Sequence, residues 1–281
     1  MRKILFMFRA AFAGSLIAAM FCCSGGSGQP TANRIAFDSI AVDTTMHFII
    51  NVDTTYNTLK FTFVYPVSAE NSATLDNLKV QFVSSFFGEE YATLTPQNAA
   101  REFTDDHFMV HAEEWAENHE AYEDMDYSES TSETFLGNAV KYNSDGIISV
   151  VFQRYSYTFG AAHGGSFFLG AVFDAATGSQ IEENDVFIDD YHDELARIIV
   201  EQLLESHNAD TESTPGETDF FDLSEIRPNK NFYVDNEGIT YIYNEYEIAP
   251  YAYGAISVMV PFEKVRHLLR PESVISKIAL R

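Results

Sequence analysis

Three strand-like runs follow one another between Thr131 and Asp174: TFLGNAVKYN, then GIISVVFQRYSYTF, then GSFFLGAVFD. They are rich in β-branched and aromatic residues, and the first two are joined through Asn143-Ser144-Asp145-Gly146, a turn signal. Such closeness leaves no room for a crossover helix, so the three must lie antiparallel. Two more strand-like runs, IAFDSIAVDTT and LKFTFVYPV, precede them. Between the two groups, ATLDNLKVQFVSSFFG sets Leu75, Leu78, Phe82 and Phe86 on one helical face, stopped by Gly88. Thr95-Pro96 opens a longer helix toward about Tyr122. Strands and helices come in mixed groups without regular alternation, which predicts an α+β fold, mainly antiparallel sheets packed with a few helices.

Past Asp174 the spacing of Leu195, Ile198, Ile199 and Leu203 predicts a helix over 191–206, capped by Asp189 or Asp190. The piece HNADTESTPGETD is polar and acidic and reads as a mobile loop. A strand region, a tyrosine-rich loop, a strand AISVMVPF and a short helix over 262–269 complete the chain.

The N-terminus is a targeting segment, with Arg2, Lys3 and Arg9 before the apolar run Ala10 to Phe21. That run is shorter than the ~20 residues a membrane-spanning helix needs. Cys22 and Cys23 end it, and SGGSGQPTAN follows as a flexible tether. This order resembles a bacterial lipoprotein signal. Cys23, preceded by the small Cys22, is the expected lipidation site, and Cys22 is the alternative. The expected organisation is a signal over 1–23, a tether over 24–33, and two α+β domains over 34–175 and 176–281. The expected location is exported and lipid-anchored in the cell envelope, with the membrane touched only through the anchor.

Asp and Glu number 42 against 17 Lys and Arg, a net charge of −25. A phosphate backbone would be repelled, so no nucleic-acid partner is expected. The same field favours cationic partners. With no cysteine beyond Cys23, the body of the chain has no disulfide, thiolate nucleophile or cysteine metal site.

His107, His111 and Glu114 share one face of the long predicted helix. Phe108 stands where a zinc-protease helix of the HExxH kind carries its general base. No metal and no cofactor are expected, and HAEEWAENHE reads as a solvated acidic face. His163 sits in a Gly/Ala-rich loop, FGAAHGGS, as a general base, a ligand contact or a hydrogen-bonded turn residue. No catalytic residue is assigned. YIYNEYEIAPYAYG, Tyr241 to Gly254, holds five tyrosines, which give large contact area with a polar tip. Tyr243, Ile248 and Pro250 are expected to clasp the flanking strands. Tyr246, Tyr251 and Tyr253, with His163, are the expected ligand-binding residues.

Phe220 to Val265 resembles the C-terminal half of the RsiV-like extracytoplasmic domain pair (DUF4163/DUF3298), here in the form of a Bacteroidetes-type lipoprotein. Tyr243, Glu247, Ile248, Ala249, Pro250, Tyr251, Ala252 and Gly254 match its Y-x-x-x-E-I-A-P-Y-A-x-G pattern. Tyr157, Thr158, His163 and Gly164 match a second stretch, and Phe173, Asp174, Thr177 and Gly178 a third; Ala161 and Ala162 replace glycines there. The pair occurs in lysozyme-sensing anti-sigma factors, and its N-terminal member occurs as a non-catalytic module of peptidoglycan deacetylases. The resemblance implies a binding or sensing module. Its partner would be a cationic protein such as lysozyme, or a peptidoglycan fragment. The alternative is a glycan- or peptide-directed hydrolase using His163 with carboxylates.

Overall fold

The computed structural model describes residues 30–50, 53–118, 131–206 and 220–280. Two long strands, β1 (Ala36–Ile50) and β2 (Asp53–Ser68), pair antiparallel over almost their whole length. Along β2, Leu59, Phe61, Phe63 and Tyr65 are buried while Lys60 and Thr62 point to the other face, the period-2 alternation of a sheet with one covered side. Helix α1 (Ser72–Phe87) covers that side with Leu78, Phe82, Val83 and Phe86. Asn71 caps it by accepting from the Thr74 N–H at 2.9 Å, and Gly88, at φ 128°, ends it. Helix α2 (Pro96–Asn118) starts with Thr95 Oγ1 accepting from the Asn98 N–H at 3.3 Å. Phenylalanines fill the space between: Phe63 meets Phe86 at 4.6 Å and Phe87 at 4.9 Å between ring centroids.

The crossover through α1 and α2 returns the chain parallel to β2 as β3 (Thr131–Ser144). β4 (Ile147–Tyr157) and β5 (Gly165–Asp174) then add antiparallel, giving the sheet order β1-β2-β3-β4-β5. The expected turn falls at Asp145 and Gly146, both with positive φ. The fold is α+β with mainly antiparallel sheets; β2 and β3 are its parallel pair.

The uncovered side of this sheet receives the rest of the chain. After the short α3 (Glu183–Val186), α4 (His192–Ser206) buries Leu195, Ile198, Ile199 and Leu203. Asp189 accepts from Arg270 Nη2 at 2.7 Å. Strands β6 (Phe232–Val234), β7 (Gly238–Tyr243) and β8 (Ile256–Pro261) form a second antiparallel sheet, followed by α5 (Phe262–Val265) and α6 (Val274–Ala279). Helix α6, capped by Ser273 accepting from the Ile275 N–H at 3.3 Å, is not among the helices expected from sequence. One hydrophobic cluster lies between the first sheet and α1 and α2. The second joins α4 and the small sheet, and takes Tyr142, Ile147 and Val172 from the first sheet. No helix among the described residues is long and apolar enough to cross a membrane. The acidic segment of the predicted loop, 207–219, lies outside the described residues.

Candidate functional site

The two sheets meet along β5. Gly170 has no room for a side chain: a Cβ there would lie 2.6 Å from the Phe232 carbonyl carbon. The β5 edge is not left open to solvent or to another strand. Asn231 accepts from the Gly170 N–H at 2.6 Å and donates to the Phe168 carbonyl at 2.9 Å. Asn244 accepts from the Phe168 N–H at 2.7 Å and donates back to the same carbonyl at 3.0 Å. Glu245 Oε1 accepts from the Ser166 N–H at 3.1 Å. Three side chains, Asn231 before β6 and Asn244 and Glu245 after β7, thus imitate a neighbouring strand and tie the second sheet to the first.

The loop behind β7 divides by face. Tyr243 and Ile248 are buried in the second core, as a clasp requires. Pro250 is exposed, which corrects its place in the clasp: it begins the 3-10 turn Tyr251–Tyr253 and faces solvent, while Ala249 fills the buried position beside it. In denaturant melts, Ile248→Ala should cost about 2–5 kcal/mol, the range for truncating a buried aliphatic. Pro250→Ala should stay within about 0.5 kcal/mol, as at ordinary surface sites. The reverse order would reverse the assignment of faces.

His163, Tyr246 and Tyr251 come together. The His163 and Tyr251 rings stack at 3.9 Å between centroids, and Tyr246 stacks on Tyr251 at 5.8 Å. His163 Nδ1–H donates to the Gly164 carbonyl at 2.8 Å, which leaves Nε2 to accept from the Tyr246 hydroxyl at 3.3 Å. The Tyr251 hydroxyl donates to the same Gly164 carbonyl at 2.9 Å, so Tyr251 is half-buried rather than free. Burial raises its phenol pKa, helped by the Glu245 carboxylate. Tyr246 holds a left-handed backbone at φ 67°, unusual for so bulky a residue, and its ring is 57% exposed. Gly164 lies flat against Tyr155, where a Cβ would sit 2.4 Å from the hydroxyl. These contacts pin the β4–β5 loop to the β7–β8 loop.

Tyr253 stands apart from that trio. It faces an open groove of about 630 Å³ between the uncovered half of the first sheet and the β7–β8 loop. Thr62, Lys141, Gln153 and Ser166 come from the first sheet; Tyr233, Glu245, Tyr253 and Ser257 come from the C-terminal half. Its floor lies where β2 and β3 separate: their pairing stops at Thr62 and Gly137, and beyond it the Asn138 side chain bridges to the Val64 N–H and carbonyl, each at 2.8 Å. Thr62, Lys141, Gln153, Ser166, Tyr233 and Ser257 make no side-chain hydrogen bond or ion pair among the described residues. Sequence reasoning missed the sheet residues of this groove, because an exposed strand face at Thr62 or Gln153 has the same pattern as any solvated face.

His107 and His111 do not lie on a solvated acidic face. Helix α2 turns them toward β2, where His107 Nε2–H donates to Asn57 Oδ1 at 2.9 Å and the His111 ring lies 4.6 Å away. Burial pushes the His107 pKa down to about 3, with His111 and Arg154 adding to the effect. Burial also lowers His111, against the pull of Glu114 at 3.5 Å. Among the described residues no cluster of three potential metal ligands forms. Cys23, Tyr122 and His119 lie outside the described residues.

A two-sheet α+β protein with a polar groove at the sheet junction is thus defined. Residues 184–263 match the family described as "Protein of unknown function (DUF3298)". No curated protein matches the chain. Among solved structures, a DUF3298 family member from Bacteroides fragilis NCTC 9343 superposes with a TM-score of 0.76 at 24% identity, over 89% of this chain and 100% of that one. A DUF3298 family protein from Pseudomonas aeruginosa PAO1 gives 0.57 at 13% identity, over 85% of this chain and 96% of that one. Both likenesses concern the fold.

Proposed function

We propose that this chain is a cell-envelope binding module, and that the groove at the sheet junction receives a cell-wall glycan. The observation that carries this reading is the convergence in one groove of unpaired hydroxyl and amide groups, from Thr62, Gln153, Ser166, Tyr233 and Ser257, beside the rings of Phe168 and Tyr253. A sugar presents hydroxyls that both donate and accept, together with apolar ring faces that pack on aromatic side chains. The resemblance to envelope-located binding domains, and a tether lipidated at Cys23, would place the groove beside the wall.

Hydrolysis by paired carboxylates fits the groove poorly. Glu245 is its one lining carboxylate, and one of its oxygens already accepts from Ser166. His163 lies outside the groove with both ring nitrogens engaged. The net charge of −25 favours a second reading, capture of a cationic protein such as lysozyme.

Calorimetric titration with soluble cell-wall oligosaccharides tests the first reading. Tyr253→Ala should weaken binding about tenfold or more, the loss of roughly 1.4 kcal/mol expected for an aromatic anchor, with an unchanged melting curve. Undiminished binding in that variant would sink the groove as the site. Titration with a basic lysozyme near physiological salt separates the second reading, since charge attraction alone is largely screened there beyond ~8 Å.

A further inference from the structure

The groove carries one cation and one carboxylate, on opposite contributions of the fold. Lys141 belongs to β3 and Glu245 to the loop after β7. Glu245 is fixed by the Ser166 N–H. Lys141 is exposed and makes no ion pair among the described residues, although the chain has 42 acidic residues.

Its place in the sheet is unusual. β3 and β4 pair Val140 with Val150 and then Tyr142 with Ser149, so Lys141 is the extra residue of a β-bulge. Without the bulge, alternation would send Lys141 and Tyr142 to opposite faces. With it, Tyr142 enters the core under the second sheet while Lys141 lines the groove on that same side. Bulges re-aim side chains at sites of this kind. The residue re-aimed here is Tyr142, while Lys141 keeps the groove side that Gly137 and Ala139 already share.

Resting on the glycan reading, we infer that the groove selects a saccharide bearing a carboxylate, held by Lys141, with the ligand's hydroxyl or amide N–H groups turned to Glu245. The surrounding field of −25 repels a small free anion, so the carboxylate counts only on a ligand that also makes the neutral contacts. A charge-assisted hydrogen bond of this type is worth tenfold or more in affinity.

The test uses the full chain and two probes that differ at one group: the disaccharide of N-acetylglucosamine and N-acetylmuramic acid, and the methyl ester of its lactyl carboxylate. The unmodified chain should bind the acid at least about tenfold more tightly than the ester. Lys141→Met should erase that preference while keeping the ester's affinity, and Lys141→Arg should retain it. Equal affinity for both probes in the unmodified chain, or a preference that survives Lys141→Met, overturns the inference. Equal affinities that still fall in Tyr253→Ala would leave the glycan reading standing alone. Failure of both probes to bind would overturn both, and acetate, lacking the neutral contacts, should not bind.

Discussion

His107→Gln should flatten the fall in stability between pH 7 and pH 4 that the unmodified protein shows. His107 is packed between Phe103, Phe108 and His111, and its Nε2–H is committed to Asn57 on β2. Charging this ring inside the fold is costly, and burial holds its pKa down to about 3 against 6.5 for a free side chain. The unfolded chain takes up the proton at the free value, so it binds more protons than the folded chain throughout the window between the two. The neutral ring's contribution is therefore fully present above pH 6.5 and is lost progressively as the pH falls toward 3. By pH 4 the loss is roughly 3 kcal/mol, at 1.36 kcal/mol per pH unit. Glutamine can keep a donor toward Asn57 but takes up no proton. Urea unfolding at pH 7, 5 and 4 should show the two proteins converging as the pH falls. Parallel curves would mean that His107 is charged in the fold, and the description of its surroundings would be wrong.

Gly170→Ala should cost about 3 kcal/mol or more, the upper range for forcing atoms into filled space. The added carbon would lie 2.6 Å from the carbonyl carbon of Phe232 and 2.7 Å from its oxygen, and both belong to the β6 backbone. No side chain can swing away to relieve the contact. Strands β5 and β6 must separate, and the Asn231 bonds across the same junction stretch with them. Asn231→Ala attacks the junction from the other side. It leaves the Gly170 N–H buried without its acceptor, at about 1–3 kcal/mol, while Phe168 keeps its bond from Asn244. The double variant should cost less than the two singles combined, because each opens the same contact. A Gly170→Ala protein within 0.5 kcal/mol of the parent, a difference typical of surface changes, would show that the sheets meet elsewhere.

Much of this architecture is legible in single residues. Thr95-Pro96 and Gly88 mark helix ends through backbone chemistry that depends on no distant partner, and the alternation from Leu59 to Tyr65 survives because one side of that sheet is thickly covered. Tyr243 and Ile248 were legible as core, being apolar positions beside a strand. Pro250 was not: proline packs equally well outside, and only the turn after it decides. His107 misled because its neighbours in sequence are acidic while its neighbour in space, Asn57, is 50 residues away. The groove was the least legible part. Tyr253 stood out in a tyrosine-rich loop, but Lys141 only continues the strand face of Gly137 and Ala139, and an exposed lysine on such a face has the same pattern as any solvated position.

The sharing of Tyr142, Ile147 and Val172 with the second core bears on how such a protein can be inherited. The 184–263 segment recognised by the family description holds neither those three residues nor Ile275, Ile278 and Ala279 from α6, all of which complete its interior. A gene fusion that carried only that segment to a new host would carry an interior with two sides missing. Exchange between lineages should therefore move both sheets as one cassette, and position 170 should stay glycine whatever residue stands at 232, because the contact is with backbone that every residue carries.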